Sequence, residues 1–274
     1  MESLYLTVGG LRLHLLDYHG TGAPLICIHG LTGNAHNFDA LAPHLTPRWR
    51  VRSLDVRGRG DSAWGPPADY NPATYVSDLI GVLDTLGLAQ VSLIGTSMGG
   101  IISMMLAGGY PERVARLVLN DVGPEVEPTG LNRITTYLTT APASFPDLAA
   151  VADYYRENYP YLRATPQAEL LDFVKWSVRP GPDGSLVWKM DPAIRNPPRT
   201  GTAARPLDLW VPYTRIVAPV LVLRGAESDI LSRATTERMR VVQRRTTVVE
   251  IPGVGHAPSL VEPQSLAALQ DFLG

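Results

Sequence analysis

Gly95-Thr96-Ser97-Met98-Gly99 constrains this chain more than any other stretch. It joins a short apolar run, Val91–Ile94, to an almost wholly apolar segment that begins at Gly100 and reaches Gly108. A strand that passes straight into a helix must bend over very few residues. The residue at the bend is strained, its side chain stands above the sheet, and glycines two residues away on either side let the backbones pass closely. The start of the following helix adds free N–H groups and positive partial charge where an oxyanion would develop. Ser97 is therefore the candidate nucleophile. Spacing alone is weak evidence; the strand–turn–helix context makes it specific.

The surrounding pattern fits such a turn. Leu4–Val8 and Leu11–Leu16 flank Gly9-Gly10, a hairpin signal. Pro24–His29 is a continuous apolar run suited to a buried central strand, and Arg50–Asp55 resembles another strand. Asn71–Leu86 has helical spacing and stops at Gly87. Val114–Leu119 reads as a strand. After a long interruption the alternation resumes with strand Pro219–Leu223, helix Ser232–Arg240, strand Thr246–Ile251 and helix Pro263–Leu273. Strand–helix–strand alternation predicts an α/β fold with a mostly parallel sheet covered by helices on both faces.

Between residues 123 and 214 the pattern changes. Helices are expected near Leu131–Thr140, Pro146–Tyr159 and Pro166–Val178, then a turn at Pro180–Gly184 within a hairpin reaching Trp188. A proline-rich loop (Pro192, Pro197, Pro198) and a helix over Leu207–Tyr213 follow. The expected organisation is a core of residues 1–122 and 215–274 with a mainly helical cap over 123–214. The stretch holds 11 of the chain's 20 aromatic residues, which suits a small aromatic core, an apolar pocket lining, or both.

With these residues in view, the chain resembles the α/β-hydrolase family along nearly its whole length. In that family an H-G motif follows an early sheet strand, and His29-Gly30-Leu31-Thr32-Gly33 matches it. The resemblance implies an oxyanion hole made by the backbone N–H groups of Leu31 and Met98, with His29 structural. A serine hydroxyl needs a base oriented by a carboxylate. The family's chain order is serine, acid, histidine. Five of the 6 histidines (His14, His19, His29, His36, His44) precede Ser97, which leaves His256 in the loop after the last strand. The expected acid is Asp229, because Arg224–Asp229 resembles the family's acid loop. Glu227 is a weaker candidate, and so is Asp121, since some members carry the acid on that earlier strand. Asp55–Ser62 resembles another family segment and is expected to be structural, its Arg and Asp side chains forming local ion pairs.

The expected chemistry is hydrolysis of small to medium carboxylic esters through an acyl-enzyme. Alternatives are hydrolysis of enol-lactones or of carbon–carbon bonds by the same triad, or a noncatalytic binding module on the same fold. A carbon–carbon hydrolase would place cations over a substrate carboxylate, and Arg133, Arg163, Lys175 and Lys189 all lie in the cap. Serine, where dehalogenases and epoxide hydrolases carry aspartate, argues against those reactions. No metal, dinucleotide or Walker motif is present in the sequence, so no cofactor is expected. Lys and Arg number 24 against 26 Asp and Glu, a net charge of −2 with no basic face, so no nucleic-acid or acidic-membrane partner is expected. No run approaches the roughly 18 apolar residues of a membrane span, and no signal peptide is evident at the N-terminus. A cytoplasmic protein is the default expectation. The single cysteine, Cys27, excludes an intramolecular disulfide and is expected to be a buried, inert thiol. Oligomeric state is not encoded in any of these patterns.

Overall fold

The computed structural model describes residues 1–159, 162, 163, 165–195 and 208–274; Tyr161, Pro197, Pro198 and Leu207 lie outside them. Eight strands form one sheet: β1 (Glu2–Val8), β2 (Leu11–Asp17), β3 (Ala23–Ile28), β4 (Trp49–Leu54), β5 (Val91–Thr96), β6 (Val114–Asn120), β10 (Val220–Gly225) and β11 (Thr246–Ile251). Three short strands, β7 (Ser144–Phe145), β8 (Val178–Pro180) and β9 (Leu186–Trp188), form a second. The helices, in chain order, are α1 (Ala42–Leu45), α2 (Pro72–Thr85), α3 (Met98–Gly109), α4 (Pro128–Thr140), α5 (Leu148–Asn158), α6 (Gln167–Val174), α7 (Pro192–Arg195), α8 (Trp210–Thr214), α9 (Arg233–Val242) and α10 (Pro263–Leu273).

The main sheet runs β1-β2-β4-β3-β5-β6-β10-β11. The β1–β2 and β2–β4 pairs are antiparallel and every other pair is parallel. The β1–β2 turn is made by Gly9 (φ 55°) and Gly10 (φ 81°), the positive dihedrals that a two-residue hairpin needs. Strand order reverses between β3 and β5: β4 lies on one side of β3 and β5 on the other. In open α/β sheets, ligands bind beyond the strand ends at such a reversal. Gly30 follows β3 and Ser97 follows β5, so both stand there.

Each face of the sheet is covered by apolar helix surfaces. α2 starts where the Asn71 side chain accepts a hydrogen bond from the Thr74 N–H (3.0 Å) and ends before Gly87 (φ 66°). Its Tyr75, Leu79, Val82 and Leu83 are buried with Ile26, Ile28 and Leu93 of the sheet. The opposite face packs Phe38, Leu41 and the α10 residues Leu269 and Leu273 against Leu25, Cys27 and Leu223. Cys27 is fully buried, which pushes its thiol pKa up.

Residues between β6 and β10 add no strand to the main sheet among the described residues. A separate cluster there includes Tyr137, Phe145, Val151, Tyr155, Leu170 and Trp188. Two of the differences from the sequence reading have a clear physical cause. The third helix is shorter, because Lys175–Ser177 tightens into a 3-10 turn before β8. And α8, expected with the insertion, packs on α3: a Cβ on Gly108 would meet the Pro212 carbonyl oxygen at 2.1 Å. Tyr213 of α8 is fully buried and bonds Thr246 Oγ1 (2.7 Å), so it belongs to the sheet's own helix layer.

Candidate active site

Ser97 sits between β5 and α3 with φ 51° and ψ −116°, a region that side chains with a Cβ avoid. Two glycines permit this bend. A Cβ on Gly95 would lie 2.4 Å from the Gly99 carbonyl oxygen, and one on Gly99 would lie 2.1 Å from the Ile28 carbonyl oxygen. The turn is also tied to its neighbouring strand, since Ser97 N–H donates to the Asn120 carbonyl at 3.0 Å.

His256 Nε2 lies 3.0 Å from Ser97 Oγ. The other ring nitrogen, Nδ1, lies 2.7 Å from Asp121 Oδ2. Asp121 is fully buried just beyond β6. Three donors converge on its carboxylate: His256, the Gly225 N–H at 2.9 Å and the Ser228 hydroxyl at 2.6 Å. A hydrogen bond from Nδ1–H to a carboxylate leaves Nε2 as the acceptor, which is the tautomer that can take a proton from serine. Asn120 steadies the assembly by donating to the Pro258 carbonyl (2.9 Å) and Thr96 Oγ1 (3.1 Å).

This geometry corrects the expectation for Asp229. Its carboxylate does not reach the imidazole in this structure; it forms a bidentate pair with Arg133 of α4, at 2.6 Å to Nε and 2.9 Å to Nη2. That pair, chiefly through the hydrogen bond, holds the Asp229 carboxyl below the usual carboxylate range, with a smaller contribution from nearby His256. The physical reason is twofold. The place beside Nδ1 is filled by Asp121, and it is Ser228, one residue before Asp229, that turns inward to meet it. Helix α4 also presses on this loop from above: Gly130 N–H donates to the Asp229 carbonyl (3.1 Å), and a Cβ at Gly130 would come within 2.4 Å of that oxygen. Glu227 is exposed.

The loop after β3 is fixed from below. His29 is fully buried; its Nε2 accepts from the Val56 N–H at 3.0 Å and its Nδ1 faces the Gly30 carbonyl at 2.7 Å. Only the neutral ring satisfies both contacts, and burial pushes its pKa down to about 4. Among the described residues the Leu31 N–H has no hydrogen-bond acceptor, and Met98 opens α3, where a first-turn N–H has no intrahelical partner. The sequence suggests Arg59 as part of a local ion-pair network. Arg57 does pair with Asp78 (2.5 Å). Arg59 instead is buried and, among the described residues, has no acid partner: Nε donates to the Leu31 carbonyl (3.2 Å), Nη1 to the Tyr75 hydroxyl (2.9 Å), and Nη2 lies 3.5 Å from the Met98 sulfur. One guanidinium thus touches both residues expected to supply oxyanion-hole N–H groups. A buried arginine aimed between two loops leaves no mark in a local sequence pattern.

A cavity of about 90 Å³ opens over Ser97 and His256. The core contributes Gly30–Gly33, and the insertion contributes Arg133, Ile134, Tyr137, Tyr155, Tyr159 and Phe173. Tyr155 and Tyr159 stack at 4.8 Å, and the Tyr159 hydroxyl meets Thr32 Oγ1 at 2.9 Å, tying the insertion to the core at the pocket wall. Other aromatics, such as Phe145 and Trp188, pack edge-on at 5.1 Å inside the insertion's own cluster. The excess of aromatics therefore serves both purposes. Of the cations expected to face substrate, only Arg133 lines this cavity; Lys189 pairs with Asp61 and Lys175 with Asp172, while Arg163 is exposed. Among the described residues, His14, Asp55 and Asp61 are the one group of metal-type donors within 4.8 Å. Asp55 is already saturated there by His14 and by the N–H groups of Ala35 and Asp61. No helix among the described residues is long and apolar enough to cross a membrane.

Comparison with known proteins places this geometry in context. A family model described as the alpha/beta hydrolase fold matches residues 23–263. A 3-hydroxybutyrate-oligomer hydrolase from Cupriavidus necator is 38% identical over 95% of this chain and 93% of its own length. A 2-hydroxy-6-oxo-2,4-heptadienoate hydrolase from Pseudomonas putida is 30% identical over 97% and 94%. The crystal structure of an alpha/beta hydrolase from Novosphingobium aromaticivorans superposes with a TM-score of 0.89 at 36% identity, covering 99% of this chain and 97% of that one. With a family match across most of its length, and relatives this similar over nearly all of it, the chain belongs to the α/β-hydrolase family, a family of hydrolases.

Proposed function

We propose that the protein is a serine-dependent carboxylic ester hydrolase acting on small to medium esters. In this reading Ser97 is the nucleophile, His256 the general base and Asp121 the residue that orients the imidazole. The N–H groups of Leu31 and Met98 form the oxyanion hole, and the insertion between β6 and β10, α8 apart, serves as a cap. The observation that carries the proposal is the 3.0 Å approach of His256 Nε2 to a serine held on a strained turn at the sheet's reversal point.

The chemistry follows from these positions. Ser97 Oγ attacks the ester carbonyl while His256 takes its proton, and the negative charge on the carbonyl oxygen falls on the two N–H groups. His256 then protonates the leaving alcohol, and an acyl-serine remains. Water, deprotonated by the same imidazole, releases the acid. A noncatalytic module on this fold can retain the same triad; rapid multiple turnover would exclude it. A fluorophosphonate probe should label Ser97, and Ser97→Ala should abolish turnover of p-nitrophenyl butyrate. Intact esterase activity in that variant would overturn the proposal.

A second reading, carbon–carbon hydrolysis, is favoured by one relative whose substrate is a dienoate and by a cation in the cavity. Rapid cleavage of a 2-hydroxy-6-oxo-dienoate, with slow turnover of p-nitrophenyl esters, would replace the ester reading.

A further inference from the structure

We propose that Arg133 is a carboxylate-recognition residue and that Asp229 is its positioning partner, so that the preferred esters carry a free carboxylate in the acyl or alcohol portion. This builds on the ester-hydrolase reading above and adds the class of substrate.

Arginine offers two forks to planar anions: a side fork made by Nε and one Nη, and an end fork made by the two Nη atoms. Asp229 occupies the side fork of Arg133 with both carboxylate oxygens. Among the described residues nothing hydrogen-bonds to Nη1. The end fork therefore keeps donors to spare, and the bidentate pair locks the plane in which they lie.

Arg133 lines the same cavity as Ser97 and His256, and its side chain is 30% exposed, so its charge is neither buried away nor fully hydrated. Among the described residues it is the only Arg or Lys in the cavity wall, and no Asp or Glu of theirs lines it. The other side chains there are mostly aromatic or aliphatic, with Tyr137, Tyr155 and Tyr159 in one wall. An anion on the end fork touches Arg133 directly and has Asp229 on the far side of the guanidinium, so attraction at contact distance exceeds the longer-range repulsion. A neutral ester group in that position can accept only neutral-strength hydrogen bonds.

The pairing also explains why Asp229 is present although Asp121 holds the imidazole. Its backbone carbonyl anchors Gly130 of α4, and its side chain aims Arg133 three residues further along that helix. Asp229 thus sets both the height of the helix and the orientation of its cation.

The test compares two matched pairs of substrates at constant ionic strength. One pair is p-nitrophenyl hydrogen adipate and p-nitrophenyl methyl adipate, with the carboxylate in the acyl portion. The other is 4-butyryloxybenzoate and its methyl ester, with the carboxylate in the alcohol portion. The readout is the ratio of kcat/KM for acid over neutral ester within each enzyme, which cancels any general loss of activity or folding. The wild type should favour the acid in at least one pair, mainly through KM. Arg133→Gln should lower that ratio by about 10- to 100-fold, the range expected for a charge-assisted bidentate contact, and Arg133→Lys should retain part of it. Asp229→Asn should lower the same ratio by a smaller factor, and Asp229→Glu should restore part of it. A wild-type ratio no higher than that of Arg133→Gln in both pairs would overturn the proposal, as would equal losses on acid and neutral esters. If the wild type turned over none of the four esters, the ester-hydrolase reading itself would fail, and that outcome is separate.

Discussion

Replacing Asp121 by Asn should disable the protein far more than the same change at Asp229, and the size of the difference can be worked out from the contacts. The Asp121 carboxylate accepts from His256 Nδ1, the Gly225 N–H and the Ser228 hydroxyl at 2.7, 2.9 and 2.6 Å. An amide has one acceptor oxygen. If its NH2 faces Nδ1, the ring must carry its proton on Nε2, and Nε2 can no longer accept from Ser97. If its oxygen faces Nδ1, the NH2 points at the Gly225 N–H, and a buried donor is left opposed at a cost of about 1–3 kcal/mol. The first arrangement is the wrong-tautomer case, worth about 10³- to 10⁴-fold in kcat in serine triads of this kind. That is about 4 to 5.5 kcal/mol of transition-state stabilisation. Asp229→Asn alters no contact to the imidazole; its loss of attraction to a protonated ring should lower kcat on a neutral ester by less than about tenfold, the limit for a partly exposed charge. The assay is p-nitrophenyl butyrate hydrolysis, with folded protein quantified by circular dichroism and cooperative denaturant unfolding so that misfolded protein is excluded. A loss beyond about 10³-fold for Asp229→Asn, with Asp121→Asn keeping a tenth or more of wild-type kcat, would refute the reasoning and restore Asp229 as the acid.

Three further outcomes are expected. His29 is buried neutral with its pKa pushed down to about 4, while the unfolded chain binds a proton near 6.5, so stability should rise with pH across that window and be lost below it, by roughly 3 kcal/mol at the acid end. Denaturant unfolding at pH 4.5 and 7 should show His29→Gln losing more stability at pH 7 than at pH 4.5; an equal loss at both would exclude this origin. Ser97→Gly should unfold at higher denaturant than Ser97→Ala, by roughly 1–2 kcal/mol, because glycine relieves the positive φ that alanine keeps. A less stable glycine variant would remove the strain argument. Arg59→Met should lower kcat about 10- to 100-fold with little effect on KM, because Leu31 and Met98 both lose the cation that aligns them; a change confined to KM would contradict that role.

Much of this fold was legible because its signals are local. The hairpin at Gly9-Gly10, the strand–turn–helix at Ser97 and the capped helix from Asn71 to Gly87 each depend on residues only a few positions apart. The pairing of Ser97 with His256 was legible for a different reason: once a late base was required, a single histidine remained. The strand β7 was not, since two residues at Ser144–Phe145 give no alternation and exist only by pairing with β9. The packing of α8 on α3 depends on the missing side chain of Gly108, which a helical pattern records only as a weak position.

The choice between Asp121 and Asp229 shows where local reading ends. Both follow strand ends on adjacent strands, and both are within electrostatic range of the same imidazole. The difference lies in which neighbour turns inward. Beyond β10 it is Ser228, whose hydroxyl reaches Asp121, while Asp229 faces α4 and meets Arg133. No sequence pattern relates residue 229 to residue 133, since that contact exists only when α4 lies over the strand ends. With the imidazole held by Asp121, Asp229 is left to hold the insertion and its cation over the cavity. In the proposed reading the core supplies bond cleavage and the insertion supplies recognition, and the Asp229–Arg133 pair that links them has a carboxyl that stays ionised well below neutral pH. As pH falls through the lowered pKa of Asp229, below the ordinary value near 3.8, Arg133 loses its partner and its fixed plane. An aliphatic substrate carboxylate, with an ordinary value of about 4.3, loses its charge first, so the preference for anionic esters should fade with the substrate's own titration while Asp229 still holds Arg133.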